Sequence, residues 1–178
     1  ESNVSLSYRM LDGVLTQEVA EPCSPGHGEI LVEVEASSIN YRDIAIQAGY
    51  YPSLNGVIPL SDGAGRIVEL GTGVEGFKSG QAVTSCFYPF WESGPALASN
   101  HRATLGCDLD GMLTRFVTLP AQAWVPTPEH MSAGEAATLP CAALTAWAAL
   151  FTRGNLLPGQ HVLIQGTGGV AIFALQFA

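Results

Sequence analysis

Basic residues are scarce. Seven Lys and Arg face sixteen Asp and Glu, a formal net charge of −9. Nothing in such a chain neutralises a run of phosphates, so a nucleic-acid partner is excluded. Long apolar runs are missing too. No stretch approaches the roughly 18 residues that cross a bilayer, and the polar start lacks a signal-peptide pattern. No membrane role is expected, and the location is expected to be cytoplasmic. Paired cysteines are absent: Cys23, Cys86, Cys107 and Cys141 are widely spaced with no C-x-x-C. Four free thiols in a reducing compartment are expected. The four histidines, His27, His101, His130 and His161, show no H-x-x-x-H spacing. An initiator Met is also absent, and trimming, or a start not shown, is expected. What remains is 178 residues, 47% of them hydrophobic, enough for one domain and part of a second.

The first two thirds read as β. In "GEILVEVEASS", Ile30, Val32, Val34 and Ala36 fall on one face and Glu33 and Glu35 on the other, the alternation of a half-buried strand. "GAGRIVELGTGVEGFKSGQAVTSCF" reads as two strands, with Gly71-Thr72-Gly73 as a plain turn. "GMLTRFVTLP" is a further strand. "NYRDIAIQAG" has helical spacing and a Gly stop at Gly49, with Asn40 a candidate helix cap. The stretch from Tyr88 to Gly111 has no period, and loops of that length are usually functional. Its aromatic residues Tyr88, Phe90 and Trp91, with Phe87 before them, are candidates for substrate specificity.

After about Pro120 the pattern turns helical. Ser132 and Glu135 form a capping box, Pro140 suits a first turn and Gly154 a helix end. The run "PGQHVLIQ" then predicts a buried strand. "GTGGVAIFALQFA" follows it as a glycine turn entering a helix. Gly166-Thr167-Gly168-Gly169-Val170-Ala171 fits G-x-G-x-x-G/A. Gly166 permits the tight turn, Gly168 lets backbone approach a pyrophosphate, and the helix N-terminus offers free N–H groups to it. A lone match is weak, but here strand and helix patterns flank it. The acidic or basic residue that would separate NAD from NADP falls beyond Ala178.

Five stretches in order, "GEILVEVEASSINYRD", "SDGAGRIVELGTGVEGFKSGQAV", "GMLTRFVTLPA", "AATLPCAALTAWAAL" and "LLPGQHVLIQGTGGVA", resemble the medium-chain dehydrogenase/reductase superfamily. They look most like its zinc-independent quinone-oxidoreductase-type and alcohol-dehydrogenase-like members. The resemblance covers nearly the whole chain. It implies an α+β assembly: a GroES-like β-barrel catalytic domain over residues 1–120, then an incomplete Rossmann α/β cofactor domain over 121–178. In that family the glycine turn sits near mid-chain, so the front half of a larger enzyme is expected.

Zinc-dependent members carry Cys at the place of Asn40, His-Glu at Ser61-Asp62 and Cys at Cys141. One good ligand of three implies no zinc, and leaves Cys141 as a small buried residue at a helix start. The resemblance puts Asn40 and Tyr51 at the catalytic centre. It puts Asn40, Tyr41, Thr145, Gly166, Thr167, Gly168, Gly169 and Val170 against the cofactor. Ala45 stands where some relatives have a tyrosine. The implied activity is hydride transfer from NADP(H), with NAD(H) left open, to a quinone, enone or other conjugated carbonyl. The implied partner is a small-molecule substrate, and the intact protein is expected to be a homodimer. Alternatives are an alcohol dehydrogenase or aldehyde reductase activity, or a non-catalytic fragment. As a fragment, the chain is expected to leave Phe173, Leu175 and Phe177 uncovered, to bind dinucleotide poorly and to self-associate through that end.

Overall fold

The structure, a computed structural model, describes residues 4–91, 93–95 and 103–178. His101 and the middle of the long loop fall outside them.

Two strands, β1 (Ser5–Leu11) and β2 (Val14–Ala20), form an antiparallel hairpin. The sequence reading passed over this hairpin, although Asp12-Gly13 signals it. Both turn residues have positive φ, 48° and 78°, as a two-residue turn matched to strand twist requires. Asn55 holds the turn: its Oδ1 accepts from the Asp12 backbone N–H at 2.9 Å.

The main sheet has five antiparallel strands: β3 (Glu29–Ser38), β4 (Asp62–Leu70), β5 (Ala82–Ser85), β6 (Phe116–Pro120) and β7 (Trp124–Pro126). Their spatial order is β6-β3-β4-β5-β7. β3 behaves as its alternation predicts. Ile30 and Val32 are fully buried among Ile67, Val83, Leu105 and Met112. Glu33 and Glu35 take ion pairs from Arg115 and Arg66, each at 3.0 Å. The pairing with β4 slips between Val34 and Ala36, leaving Glu35 as the extra residue of a bulge. Gly65 lies opposite Val34, and a Cβ there would sit 2.0 Å from the Glu33 carbonyl oxygen. Only glycine lets β3 and β4 come this close. Gly71-Thr72-Gly73 is the turn expected of it, with Gly73 at φ 78°. β7 pairs with β5, so the sheet runs on past residue 120.

Helix α1 (Tyr41–Gln47) ends at Gly49, whose φ is 78°. Asn40 holds the N-cap position, as expected, with extended backbone. Asp43 completes a capping box: its carboxylate reaches back and accepts the Asn40 N–H at 2.7 Å. The Asn40 Nδ2 donor takes no part in the cap.

The C-terminal part is helical in segments. Helix α2 (Ala133–Ala136) begins at the Ser132–Glu135 capping box, with both reciprocal bonds formed. A wide i→i+5 turn (Leu139–Ala143) leads into α3 (Leu144–Trp147), and a second such turn (Ala148–Arg153) follows. Gly154 ends the run, but through close approach. A Cβ there would lie 2.7 Å from the carbonyls of Ala149 and Leu150, while Asn155 takes the left-handed conformation. The strand predicted for 161–165 does not form. Those residues lie outside any ladder and Leu163 is 85% exposed. A parallel strand exists only beside a neighbour, and none of the described segments supplies one. Helix α4 (Gly169–Phe177) folds regardless, because its bonds are internal. Phe177 and Phe173 are partly covered, correcting the expectation of full exposure. Phe177 meets Trp147 edge-on at 5.6 Å and stacks on Phe173. Leu175 stays 66% exposed. No helix among the described residues is long and apolar enough to cross a membrane.

Candidate active site

Ser61 and Asp62 open strand β4 and are buried, Asp62 completely. Leu60 precedes them at φ 73°, a left-handed backbone that leucine rarely takes. Gly111 makes room for it, since a Cβ there would stand 2.0 Å from the Leu60 oxygen. Asp62 is tied at both ends. Ser61 Oγ donates to Oδ1 at 2.6 Å, and the Cys141 backbone N–H donates to Oδ2 at 2.9 Å. That second bond joins the sheet to the wide turn at Leu139–Ala143. The wide turn leaves helical N–H groups without internal partners, and Asp62 takes one of them.

Burial raises the Asp62 carboxyl above its ordinary value, against the lowering effect of Ser61, Cys141, Asn40 and Arg42. Asp43 is raised as well, by burial first and then by the nearby Asp62 charge, while its Asn40 bond and Arg42 lower it. Cys141 is pushed up to about 11, by burial and then by the two carboxylates, so it is a neutral thiol. Two atoms in this cluster stand buried without a partner, Asn40 Nδ2 and Asp43 Oδ1. The Asn40 amide is near enough to lower the Asp62 carboxyl, yet its Nδ2 meets no acceptor in bonding geometry. An orphaned buried donor is costly, and such groups are rare away from ligand sites.

The raised carboxyls carry a sign for stability. A folded-state carboxyl above its unfolded value binds extra protons in the native state. Stability therefore falls as pH climbs from the unfolded carboxyl value of about 4 through the folded one. Asp62→Asn keeps an acceptor for Cys141 and removes the charge. Urea titrations between pH 4 and 7 are expected to show a shallower fall for Asp62→Asn than for the parent chain. Parallel curves would mean that Asp62 does not drive it.

Beside the cluster lies a cavity of about 750 Å³. Its walls come from three segments: Ser85, Cys86, Phe87, Tyr88 and Trp91; Val125, Pro126 and Pro128; and Cys141, Leu144, Thr145 and Ala148. The lining is mostly apolar with a few polar groups, as small-molecule pockets are. Thr145 is thus placed on the wall, and so is Cys141, which is half-buried and not the closed core residue expected. Phe87, Tyr88 and Trp91 join them, while Phe90 does not. Tyr41 and Tyr51 are 78% and 52% exposed and stand outside this wall.

The glycine turn lies on another face of the same helical run. A Cβ on Gly169 would come within 3.2 Å of Ala142 Cβ, so the start of α4 is pressed against the wide turn. Gly166 has φ 91°, and Gly168 caps α4 in extended conformation. A Cβ on either would meet nothing within 4 Å. The turn therefore faces open space, with the unpaired N–H groups of the first α4 turn beside it. Those residues fit a dinucleotide's phosphates.

The donor set of the Asn40–Cys141 cluster can be judged as a metal site. Asn40 offers an amide and Ser61 a hydroxyl. Both Asp62 oxygens are occupied, and Cys141 is the one good ligand. Among the described residues no group of three or more His, Cys, Asp and Glu is placed to hold a metal ion. All four cysteines are free thiols. Sequence reading missed Asp62 as the acceptor for Cys141, Ser85 and Cys86 as cavity wall, and Arg42 as a partner of Thr104, Leu105 and Phe87. Spacing gave no signal for them, because their partners are distant in sequence.

Comparison with known proteins shows the family of the chain. Residues 26–129 match the alcohol dehydrogenase GroES-like domain. A zinc-type alcohol dehydrogenase-like protein of Schizosaccharomyces pombe is 43% identical over 171 residues, covering 94% of this chain and 49% of that protein. An acryloyl-coenzyme A reductase of Metallosphaera sedula is 31% identical over 174 residues, covering 93% and 52%. Among solved structures, a Sinorhizobium meliloti protein assigned as an alcohol dehydrogenase superposes with a TM-score of 0.88 at 35% identity, over 99% of this chain and 54% of that one. The chain spans about half the length of the curated relatives it matches.

Proposed function

Because the chain belongs to the medium-chain dehydrogenase/reductase superfamily, we propose that the intact protein is an NAD(P)H-dependent, zinc-independent oxidoreductase acting on a quinone, enone or other conjugated carbonyl. One observation carries this reading: a single helical run, Leu139–Arg153, presents the apolar cavity on one face and the open glycine turn on another. An acryloyl thioester, named for one relative, is itself a conjugated carbonyl. The absence of zinc is supported by the donor set. Catalytic zinc takes three ionised or imidazole ligands. Here an amide, a hydroxyl and a carboxylate with both oxygens in use stand in those places, which leaves Cys141 as the one good ligand.

The backbone of Gly166, Thr167, Gly168, Gly169 and Val170 would hold the pyrophosphate, with Thr145 and Asn40 toward the nicotinamide. The bound dinucleotide supplies a hydride. The chain's own residues do the rest. The apolar walls exclude water and so strengthen each polar contact inside. As negative charge builds on the substrate oxygen, a fixed N–H donor stabilises it. Asn40 is assigned this donor: its Nδ2 is buried without a partner, although Asn40 is not itself part of the cavity wall. Tyr51 is assigned the proton on the exposed side, and Tyr41 a place at the rim. NADP(H) is favoured over NAD(H), and the intact protein is assigned as a homodimer.

The test mixes intact protein with NADPH or NADH and a panel of quinones, enones and simple aldehydes. Oxidation is expected with the conjugated acceptors, in protein stripped of zinc by chelator. Turnover of alcohols alone, lost on chelation and restored by zinc, would refute the proposal.

A further inference from the structure

Arg42 lies two residues after Asn40, and its side chain leaves α1 for Thr104, Leu105 and the face of the Phe87 ring. Nη1 donates to the Leu105 carbonyl at 3.1 Å and Nη2 to Thr104 Oγ1 at 2.6 Å. Thr104 is itself braced, donating through Oγ1 to Asp108 Oδ2 at 2.6 Å. The guanidinium carbon stands 4.8 Å above the centre of the Phe87 ring. Phe87 meets Tyr88 edge-on at 4.8 Å, and Tyr88 meets Trp91 edge-on at 5.8 Å. All three rings line the cavity. Arg42 thus joins the helix bearing Asn40, the 104–108 loop and the first ring of an aromatic wall. A planar fork that bonds at its edge and stacks on its face is specific to arginine, and lysine cannot do both.

We propose that Arg42 is the positioning residue that fixes the aromatic wall Phe87–Tyr88–Trp91 and so sets the width of the cavity and the size of substrate it admits. The functional half of this statement rests on the cavity being the substrate site. Without the clasp, the Phe87 backbone stays tied through its carbonyl to the Leu105 N–H, at 3.4 Å, and through Cys86 to Ala123. Its ring loses the guanidinium packed on its face, which gives the ring room to turn and the cavity room to widen.

Cys86, next to Phe87 on the cavity wall, reports width without any need for turnover, and exposed Cys23 is the internal control. The intact protein is labelled with N-ethylmaleimide or with the bulkier fluorescein maleimide, and each cysteine is followed by peptide mass spectrometry. Arg42→Gln is expected to raise the bulky-to-small labelling ratio at Cys86 roughly tenfold, as loss of a contact of about 1.4 kcal/mol implies. Cys23 should not change. Arg42→Lys should fall between, and Phe87→Leu, which keeps the hydrogen bonds, should reproduce the rise. With enones, Arg42→Gln should shift the kcat/KM preference toward bulky substrates mainly through KM, and Phe87→Leu should shift it the same way. An unchanged Cys86 ratio in both Arg42→Gln and Phe87→Leu overturns the clasp. Should Arg42→Gln not fold, Phe87→Leu and Arg42→Lys decide. If no enone is turned over by any variant, the proposed activity fails while the labelling still judges the clasp.

Discussion

Gly168→Asp is expected to weaken dinucleotide binding by at least about a hundredfold, near 2.7 kcal/mol, with no loss of stability. The two effects separate because of where Gly168 sits. It caps α4 at φ −76°, an angle any residue adopts, and a Cβ there meets nothing within 4 Å. Asp is moreover a favoured helix cap, and its charge suits the positive end of the helix dipole. Folding therefore loses nothing. The same carboxylate fills the space a pyrophosphate needs and repels it. Fluorescence titration of the intact protein with NADPH and NADH, paired with thermal melting, reads both quantities. Unchanged affinity would reduce the turn to a chain reversal with no phosphate to hold.

Gly65→Ala is expected to do the opposite, destroying stability before any ligand is considered. A Cβ at Gly65 would lie 2.0 Å from the Glu33 oxygen and 2.9 Å from Val34 Cα. Those are backbone atoms of a paired strand with no side-chain freedom to yield. β3 and β4 would have to part at the centre of the five-stranded sheet, next to the Val34/Ala36 bulge. A loss above about 4 kcal/mol follows, out of a typical total of about 5–15. The melting point should drop by about 10 °C or more, or the chain should fail to fold. Gly134→Ala is the control. Within α2, its Cβ meets only Ser132 Oγ, at 4.0 Å, and a gain of up to about 1 kcal/mol is expected from helix propensity. Equal melting points for Gly65→Ala and the parent would show that the strands can separate freely.

What the sequence discloses here depends on range. β3 is legible because alternation is local, and Ile30 and Val32 are fully buried as their period requires. The Ser132–Glu135 box is legible because its partners are three residues apart. The strand at 161–165 is not, although its apolar run is real. A ladder needs a second strand, and a pattern within five residues says nothing of its presence. The site divides likewise. Gly166 to Val170 is a contiguous motif, and Thr145 reaches the cavity through an ordered family match. The bond from Cys141 to Asp62 spans 79 positions, and that from Arg42 to Leu105 spans 63. No local spacing encodes either one. Asn40 shows a middle case. Residue type marks it correctly as the helix cap, but only the structure shows that Asp43 bonds its N–H and that its Nδ2 is buried without a partner.

The contact between Gly169 and Ala142 has a thermodynamic corollary. Ala142 sits between Cys141 and Leu144, which form cavity wall, so a force applied at either face is felt through one short rigid segment. Any occupant of the cavity that displaces this segment changes the free energy of an anion at the turn. Linkage then obliges the anion to change the occupant's affinity by the same factor. Where such a displacement occurs, the two affinities form one coupled equilibrium, the same whichever ligand binds first.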